Sequence, residues 1–256
     1  MKNNIKIFFF ISIAAVLLSS CANDKDEKSK NFIKIIESTQ NGIAENSVFT
    51  YNENQIISAE NSKEKIDYTY QDGVIIKITT YNKATQQNVV LNYTYNKEKL
   101  VKVTSSENYV INYTHNSNET VYYEKINVNT QNQQQKVYHG NLFFKNNNLI
   151  KDERVFDDGE ENTVSSSKTT FDYDTFNNPY FSILGFDKLL DHDASVSKNN
   201  VVMTVAETTV VSGEEIISSA NMYKTTFKYD TDNYPTEQVA EESLINPNYS
   251  KIQYLY

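Results

Sequence analysis

One phrase recurs along the chain and limits its folding more than any other feature. It consists of an aliphatic or aromatic residue, a tyrosine two positions on, an Asn or Asp, a short turn and another apolar run. It reads FTYNENQII from Phe49, IDYTYQDGVIIKIT from Ile66, LNYTYNKEKLVKVT from Leu91 and INYTHNSNETVYY from Ile111. Looser copies are LFFKNNNLIKDE from Leu142, FDYDTFNNPY from Phe171 and FKYDTDNYPTEQ from Phe227, and IQYLY closes the chain at Tyr256. Ile66, Tyr68 and Tyr70 alternate with Asp67, Thr69 and Gln71, and after the turn Val74, Ile76 and Ile78 alternate with Lys77 and Thr79. Period-two alternation marks strands with one dry and one wet face. Gln71-Asp72-Gly73 and Asn96-Lys97-Glu98 read as hairpin turns. With 19 tyrosines the composition favours strands, and with only six glycines and three prolines the turns must lean on Asn, Asp and Ser.

Each copy is therefore read as one hairpin of an antiparallel meander. A lone hairpin is marginal in water, so neighbours must pair and their shared apolar face must be covered. The predicted fold is all-β: a curved sheet, half-barrel or barrel. The run from Pro179 to Leu190, with Phe186, Leu189 and Leu190 near helical spacing and Gly185 interrupting it, predicts one short helix or plug near 180–191.

The N-terminus has a different character. Lys2 and Lys6 precede the apolar run Ile7–Leu18, which is too short to span a bilayer but suits a signal peptide. It ends in Leu18-Ser19-Ser20-Cys21, which resembles the bacterial lipobox. That resemblance implies cleavage before Cys21 and diacylglyceryl modification of its thiol, with the protein held to a membrane by acyl chains. Cys21 is the only cysteine, so its acylation leaves no disulfide, thiol nucleophile or thiolate metal site. Lys25-Asp26-Glu27 looks like the lysine-plus-acidic signal that sends Bacteroidota lipoproteins to the outer face of the outer membrane. The alternative is a plain solvated tether on a periplasm-facing protein. The expected organisation is a signal peptide at 1–20, a lipidated, charged tether at 21–31 and a single β-rich domain at 32–256.

The repeat itself resembles the YD repeats of RHS-type proteins, with Tyr173-Asp174 and Tyr229-Asp230 keeping the pair and Asp72-Gly73 keeping the turn glycine. A closer likeness is to Bacteroidota lipoproteins in which a lipobox precedes a handful of such hairpins, a group that Asn178-Pro179-Tyr180 also fits. These likenesses imply a fold and a location and no reaction. So few copies are expected to enclose little.

Candidate chemistry is sparse. A formal charge of −9, more negative once Lys2 and Lys6 are removed, argues against nucleic acid as a partner. Arg154 is the only arginine. His115 replaces the second Tyr of a repeat and reads as an inward, structural residue; His139 receives no role. Asp191-His192-Asp193 is the sharpest polar cluster, a weak metal or acid–base candidate set against a solvated loop, because neighbours in an extended chain diverge. The run from Asp157 to Glu161 reads as an acidic turn rather than a calcium loop. No catalytic motif and no cofactor signature is found. The expected function is a non-catalytic, lipid-anchored envelope protein, a surface binding or accessory module for a glycan, peptide or protein. The alternatives are a carrier of a hydrophobic ligand in a half-barrel and a hydrolase with an unrecognised carboxylate site.

Overall fold

The computed structural model describes residues 32–40, 43–157, 163–242 and 248–256. The described residues form sixteen strands: β1 (Ile35–Gln40), β2 (Ile43–Asn52), β3 (Gln55–Glu60), β4 (Glu64–Gln71), β5 (Val74–Asn82), β6 (Gln87–Asn96), β7 (Lys99–Ser105), β8 (Tyr109–His115), β9 (Thr120–Val128), β10 (Gln134–Lys145), β11 (Asn148–Phe156), β12 (Thr163–Tyr173), β13 (Val201–Ser212), β14 (Glu215–Tyr229), β15 (Pro235–Glu242) and β16 (Asn248–Leu255). Each pairs antiparallel with its sequence neighbours, and β1 pairs with β16, Ile36 opposite Tyr254. The meander closes into a barrel, which corrects the half-barrel alternative. Closure satisfies both edge strands, which would otherwise present unpaired backbone.

The repeat phrase becomes a hairpin with a bulge. In five hairpins the register slips by one residue just after the turn, leaving Ile57, Ile76, Val101, Ile150 and Thr236 unpaired. The strict alternation expected for Val74, Ile76 and Ile78 therefore fails: Ile75 and Ile78 are buried at 0% and 4% exposure, with Ile76 bulged between them. The last aromatic of a neighbouring strand bonds the backbone immediately before the bulge. The Tyr95 hydroxyl donates to the Ile75 carbonyl (2.9 Å), that of Tyr173 to Leu149 (2.5 Å) and that of Tyr256 to Pro235 (2.8 Å), while the Tyr70 hydroxyl accepts from the Ile56 N–H (3.2 Å). His115 Nε2 lies 2.7 Å from the Leu100 carbonyl in the same role, which accounts for a histidine in a tyrosine position.

One copy of the phrase departs from the pattern. After FDYD the chain does not turn back; residues 174–200 run into the lumen before β13 begins. The short helix or plug expected near 180–191 is thus a plug, longer than the expected segment, and its helical content is two short 3-10 turns, Phe186–Lys188 and Asp193–Val196. It seals the end of the barrel where the repeat turns cluster and bonds them in succession. Leu184 N–H donates to Asn54 O (2.9 Å), Lys198 N–H to Asn147 O (3.0 Å) and Asn177 N–H to Asn233 O (3.0 Å), and Lys188 reaches Glu98 (3.2 Å). Ile183, Phe186, Leu189 and Val196 are buried and join inward wall residues such as Ile56, Leu100, Val103 and Leu149 in the main core. The strands thus enclose more than so few copies promised. Both ends of the described chain lie at this sealed end: Lys34 N–H bonds the Leu255 carbonyl (2.7 Å), and Phe32 packs on Tyr51, 5.1 Å between centroids.

Charge is concentrated on the outer face of the wall, where exposed apolar residues such as Val48, Val164, Ile216, Met222 and Leu255 also lie. Inside are the aliphatic and tyrosine residues of the core. Outside, cross-strand rows are charged well within the strands: Glu153 sits opposite Lys168 and Lys168 opposite Glu207. Lys168–Glu207, Lys136–Glu124 (3.1 Å) and Glu237 with both Lys228 (2.7 Å) and Lys251 (2.8 Å) form ion pairs there.

Candidate functional site

The plug divides the lumen. Toward the sealed end, apolar side chains fill it. Toward the other, inward positions carry hydroxyls: the register passes from Arg154 to Ser167, Thr208 and Ser219, and the last two hydroxyls bond each other at 2.7 Å. Where these regions meet lies a cavity of about 230 Å³ lined by Ile111, Leu142 and Leu190, by Tyr113, Tyr123 and Tyr138, and by Asp152, Arg154, Asp191 and Asp193.

The wall contributes a fixed group. The bulge at Ile150 resets the phase of β11 so that Asp152 and Arg154 both face inward. Arg154 donates from Nη2 to Asp152 (2.9 Å) and from Nε to the Tyr123 hydroxyl (3.0 Å), and Tyr123 donates to the other Asp152 oxygen (2.5 Å). The guanidinium lies 4.5 Å from the centre of the Tyr138 ring. The charged pair is thus held by two side-chain donors and a ring face, the geometry in which arginine orients best. Close packing at Gly140, directly opposite Arg154, makes this possible: a Cβ there would overlap the Glu153 carbonyl oxygen and sit 2.9 Å from the Tyr123 hydroxyl.

The plug contributes the other half. Asp191 follows the buried Leu189, and its Oδ2 accepts from the Tyr93 hydroxyl at 3.0 Å. Its Oδ1 is buried with no partner. Burial pushes the Asp191 carboxyl above the usual carboxylate range, against the opposing effects of His192 and the Tyr93 hydrogen bond. Asp193 is also raised by burial, with Arg154 opposing. Burial likewise pushes the Tyr93 and Tyr123 hydroxyls well up, and their carboxylate partners add to it, so both stay neutral donors. Asp193 itself is exposed, so the cavity is open on its flank.

The sequence cluster Asp191-His192-Asp193 is thereby split. The two aspartates converge on this cavity, while the His192 ring stands edge-on to Phe186, 5.5 Å between centroids, and lines a different cavity with Tyr68 and Tyr180. Asp191 is half-buried, with Oδ1 sealed and Oδ2 bonded to Tyr93, rather than part of a solvated loop. Among the described residues no three His, Cys, Asp or Glu side chains are arranged to hold a metal. His139 lies on the outer wall with Nδ1 2.7 Å from Asp157. Leu18, Ser19, Ser20, Cys21, Lys25, Asp26 and Glu27 lie outside the described residues, as does the acidic run beyond Asp157. Sequence reasoning missed Asp152 and Arg154; the available signal was a sole arginine two residues from an aspartate within a strand.

The fold has counterparts among solved structures. A porin-like protein from Bacteroides vulgatus ATCC 8482 superposes with a TM-score of 0.55 at 14% identity, covering 88% of this chain and 98% of that one. A porin-like protein from Bacteroides uniformis ATCC 8492 gives 0.52 at 10% identity, covering 87% and 97%. At such identities the likeness is one of fold. No protein-family model matches the chain, and no curated protein matches it.

Proposed function

We propose that this chain is a non-catalytic envelope protein, lipid-anchored at the outer membrane through Cys21, whose barrel stands in water and receives a small ligand in its lumen. The observation that carries this reading is the direction of the wall's polarity. A membrane-embedded barrel turns apolar residues outward and polar ones to the lumen, and each mid-depth lysine on its lipid face costs about 2–4 kcal/mol. Here Lys168, Glu153 and Glu207 face outward and the aliphatic core faces inward. A sixteen-stranded barrel is wide enough for an aqueous lumen, and the plug narrows this one to a few cavities instead of an open channel. The protein's own side chains pack the apolar core around the plug, and the cavity of about 580 Å³ left beside it mixes Val121, Phe144 and Val196 with Lys99, Glu119, Lys145 and Asp187, so a polar ligand at the Asp152–Asp191 cavity fits better than a hydrophobic cargo. The porin-like neighbours and the lipobox both support an envelope location, and the lysine-plus-acidic run after Cys21 supports surface display.

The test is to express residues 22–256 without the signal or Cys21 and purify them in detergent-free buffer. A monomeric, cooperatively melting protein is expected. A product that stays folded only in detergent would overturn the reading. In cells, Cys21→Ala should move the protein from the membrane to the soluble fraction; retention in the membrane would argue against the anchor. The convergence of Asp152, Asp191 and Asp193 on one cavity also favours a hydrolase as the second reading, and conversion of a bound solute rather than its unchanged release would decide for it.

A further inference from the structure

We propose that the free edge of β14 at the open rim pairs, strand to strand, with the same edge of a second copy of this chain, a contact independent of whatever the lumen holds.

β14 outruns its neighbour. It pairs with β13 from Glu215 to Lys224, but with β15 only from Tyr223 to Tyr229. Glu242, which ends that second ladder opposite Tyr223, also stands opposite Asn248 at the start of β16. Among the described residues no strand lies along Glu215–Met222 on the β15 side. Alternate residues of an antiparallel strand turn their N–H and C=O groups to opposite sides, so this stretch presents a row of backbone groups without a partner strand. Sheets guard such edges with lysine, proline, a bulge or an early strand end. Ile216–Met222 has none of these: it carries no charge and no proline, and its register with β13 runs without a break. A comparable stretch, Ile43–Ser47 of β2, is capped instead, with Ser62 and Lys63 both bonding Glu45 at 2.6 Å. Exposure follows the same line. β14 is exposed on both faces from Glu215 to Lys224, Ile216 at 69% and Ile217 at 68%.

The edge is complementary to itself. Antiparallel pairing about Ser218 sets Glu215 opposite Asn221 of the other copy, Ile216 opposite Ala220 and Ile217 opposite Ser219. No like charges meet, and the two Ile217 side chains become diagonal neighbours on one face. Tyr223, where β15 takes over the edge, falls level with Gly213 of the other copy, where the hairpin turns back toward β13. The contact closes on a two-fold axis, so it makes dimers and not fibres. A lipid surface would cover the isoleucines but leave the row of N–H and C=O groups without partners in hydrocarbon, which membranes exclude. β14 runs from the rim toward the sealed end, so antiparallel partners stand rim to rim with their chain ends far apart. Such a contact joins copies that face each other, not neighbours side by side. The interface is small, and small interfaces are transient, so the dilute protein is a monomer and dimers form at high concentration.

The experiment is sedimentation velocity of the full-length protein in mild detergent from about 5 to about 500 µM, the range in which a weak contact is half-formed. A dimer is expected at the upper end, with amide hydrogen exchange slowed there at Glu215–Asn221. Ser218→Lys puts two like charges opposite each other on the two-fold axis and should weaken the dimer about tenfold or more. Thr226→Lys adds the same charge to the same strand where β15 covers the edge, and should leave association unchanged. Both positions are exposed, so both variants should melt with the parent, which separates lost pairing from lost folding. A protein that stays monomeric throughout overturns the assignment. So does a dimer that Ser218→Lys leaves intact, or one that Thr226→Lys weakens equally. A monomer whose Glu215–Asn221 amides are protected all the same has its edge covered by something other than a second copy, and that result also sinks the pairing.

Discussion

Replacing Gly140 by alanine should be far more damaging than one added methyl suggests. Gly140 lies on β10 opposite Arg154, and its backbone is not left-handed, so alanine pays no conformational penalty there. The whole cost is steric. The new Cβ would overlap the Glu153 carbonyl oxygen, which belongs to a paired strand and cannot rotate away, and would press the Tyr123 hydroxyl at 2.9 Å. Relief requires β11 to move by about an ångström, a backbone shift of the kind that overpacking makes cost about 3 kcal/mol. For a domain of this size that lowers the melting temperature by about 6–12 °C. Near-ultraviolet circular dichroism should show the local change, because the chain has no tryptophan and 19 tyrosines supply the signal. Gly213→Ala is the control. Gly213 is left-handed (φ 59°) with open space where its Cβ would go, so it should lose only about 1–2 kcal/mol. A Gly140→Ala protein that melts no lower than Gly213→Ala would refute the reasoning.

Other perturbations have equally definite outcomes. Lys97 and Glu98 form a two-residue turn with both φ angles positive (46° and 63°), a conformation that suits Asn-Gly; Lys97→Asn with Glu98→Gly should stabilise the barrel by about 1–2 kcal/mol in denaturant melts, since in the forfeited Lys188–Glu98 pair the carboxylate is exposed and contributes little. Asn178 donates to the carbonyls of Ser195 (3.0 Å) and Ser197 (2.7 Å) and accepts from the Tyr180 N–H (3.0 Å). Asn178→Ala should cost about 3 kcal/mol and expose Lys188 and Lys198 to trypsin; unchanged digestion would show that the plug is held elsewhere. Burial raises the folded-state carboxyl of Asp191, so the folded protein binds its proton more tightly than the unfolded chain. Its contribution is fully present below the ordinary aspartate value of about 3.9 and is lost as pH rises through the raised folded value. The stability advantage of Asp191→Asn over the parent should therefore be small near pH 4 and grow with rising pH; an advantage that shrinks would contradict the burial.

The hairpins were legible because their signals are local. Tyr70, Gln71, Asp72 and Gly73 carry strand, turn and return within a few residues. The bulges were not, because an unpaired Ile76 differs from a paired one only in what stands across the strand. Closure was equally hidden: the pairing of Ile36 with Tyr254 joins the two ends of the domain, and no nearby residue encodes it. The plug was visible as the apolar run at Phe186–Leu190, yet its place at the sealed end depends on carbonyls from Asn54, Asn147 and Asn233, far apart in sequence. The candidate site followed the same logic. Asp191 and Asp193 stood out as a cluster, but only the fold opposes them to Asp152 and Arg154 and turns His192 away.

The chain joins and leaves the barrel at the sealed end, beside Phe32 and Tyr256. A pull applied at Phe32 therefore falls first on β1, whose backbone is paired on one side with β2 and on the other with β16, and not on the strand ends at the opposite rim. For labelling, a tag after Tyr256 sits at the same end of the barrel as Phe32, whereas one placed in the β13–β14 turn at Gly213 reports from the opposite rim.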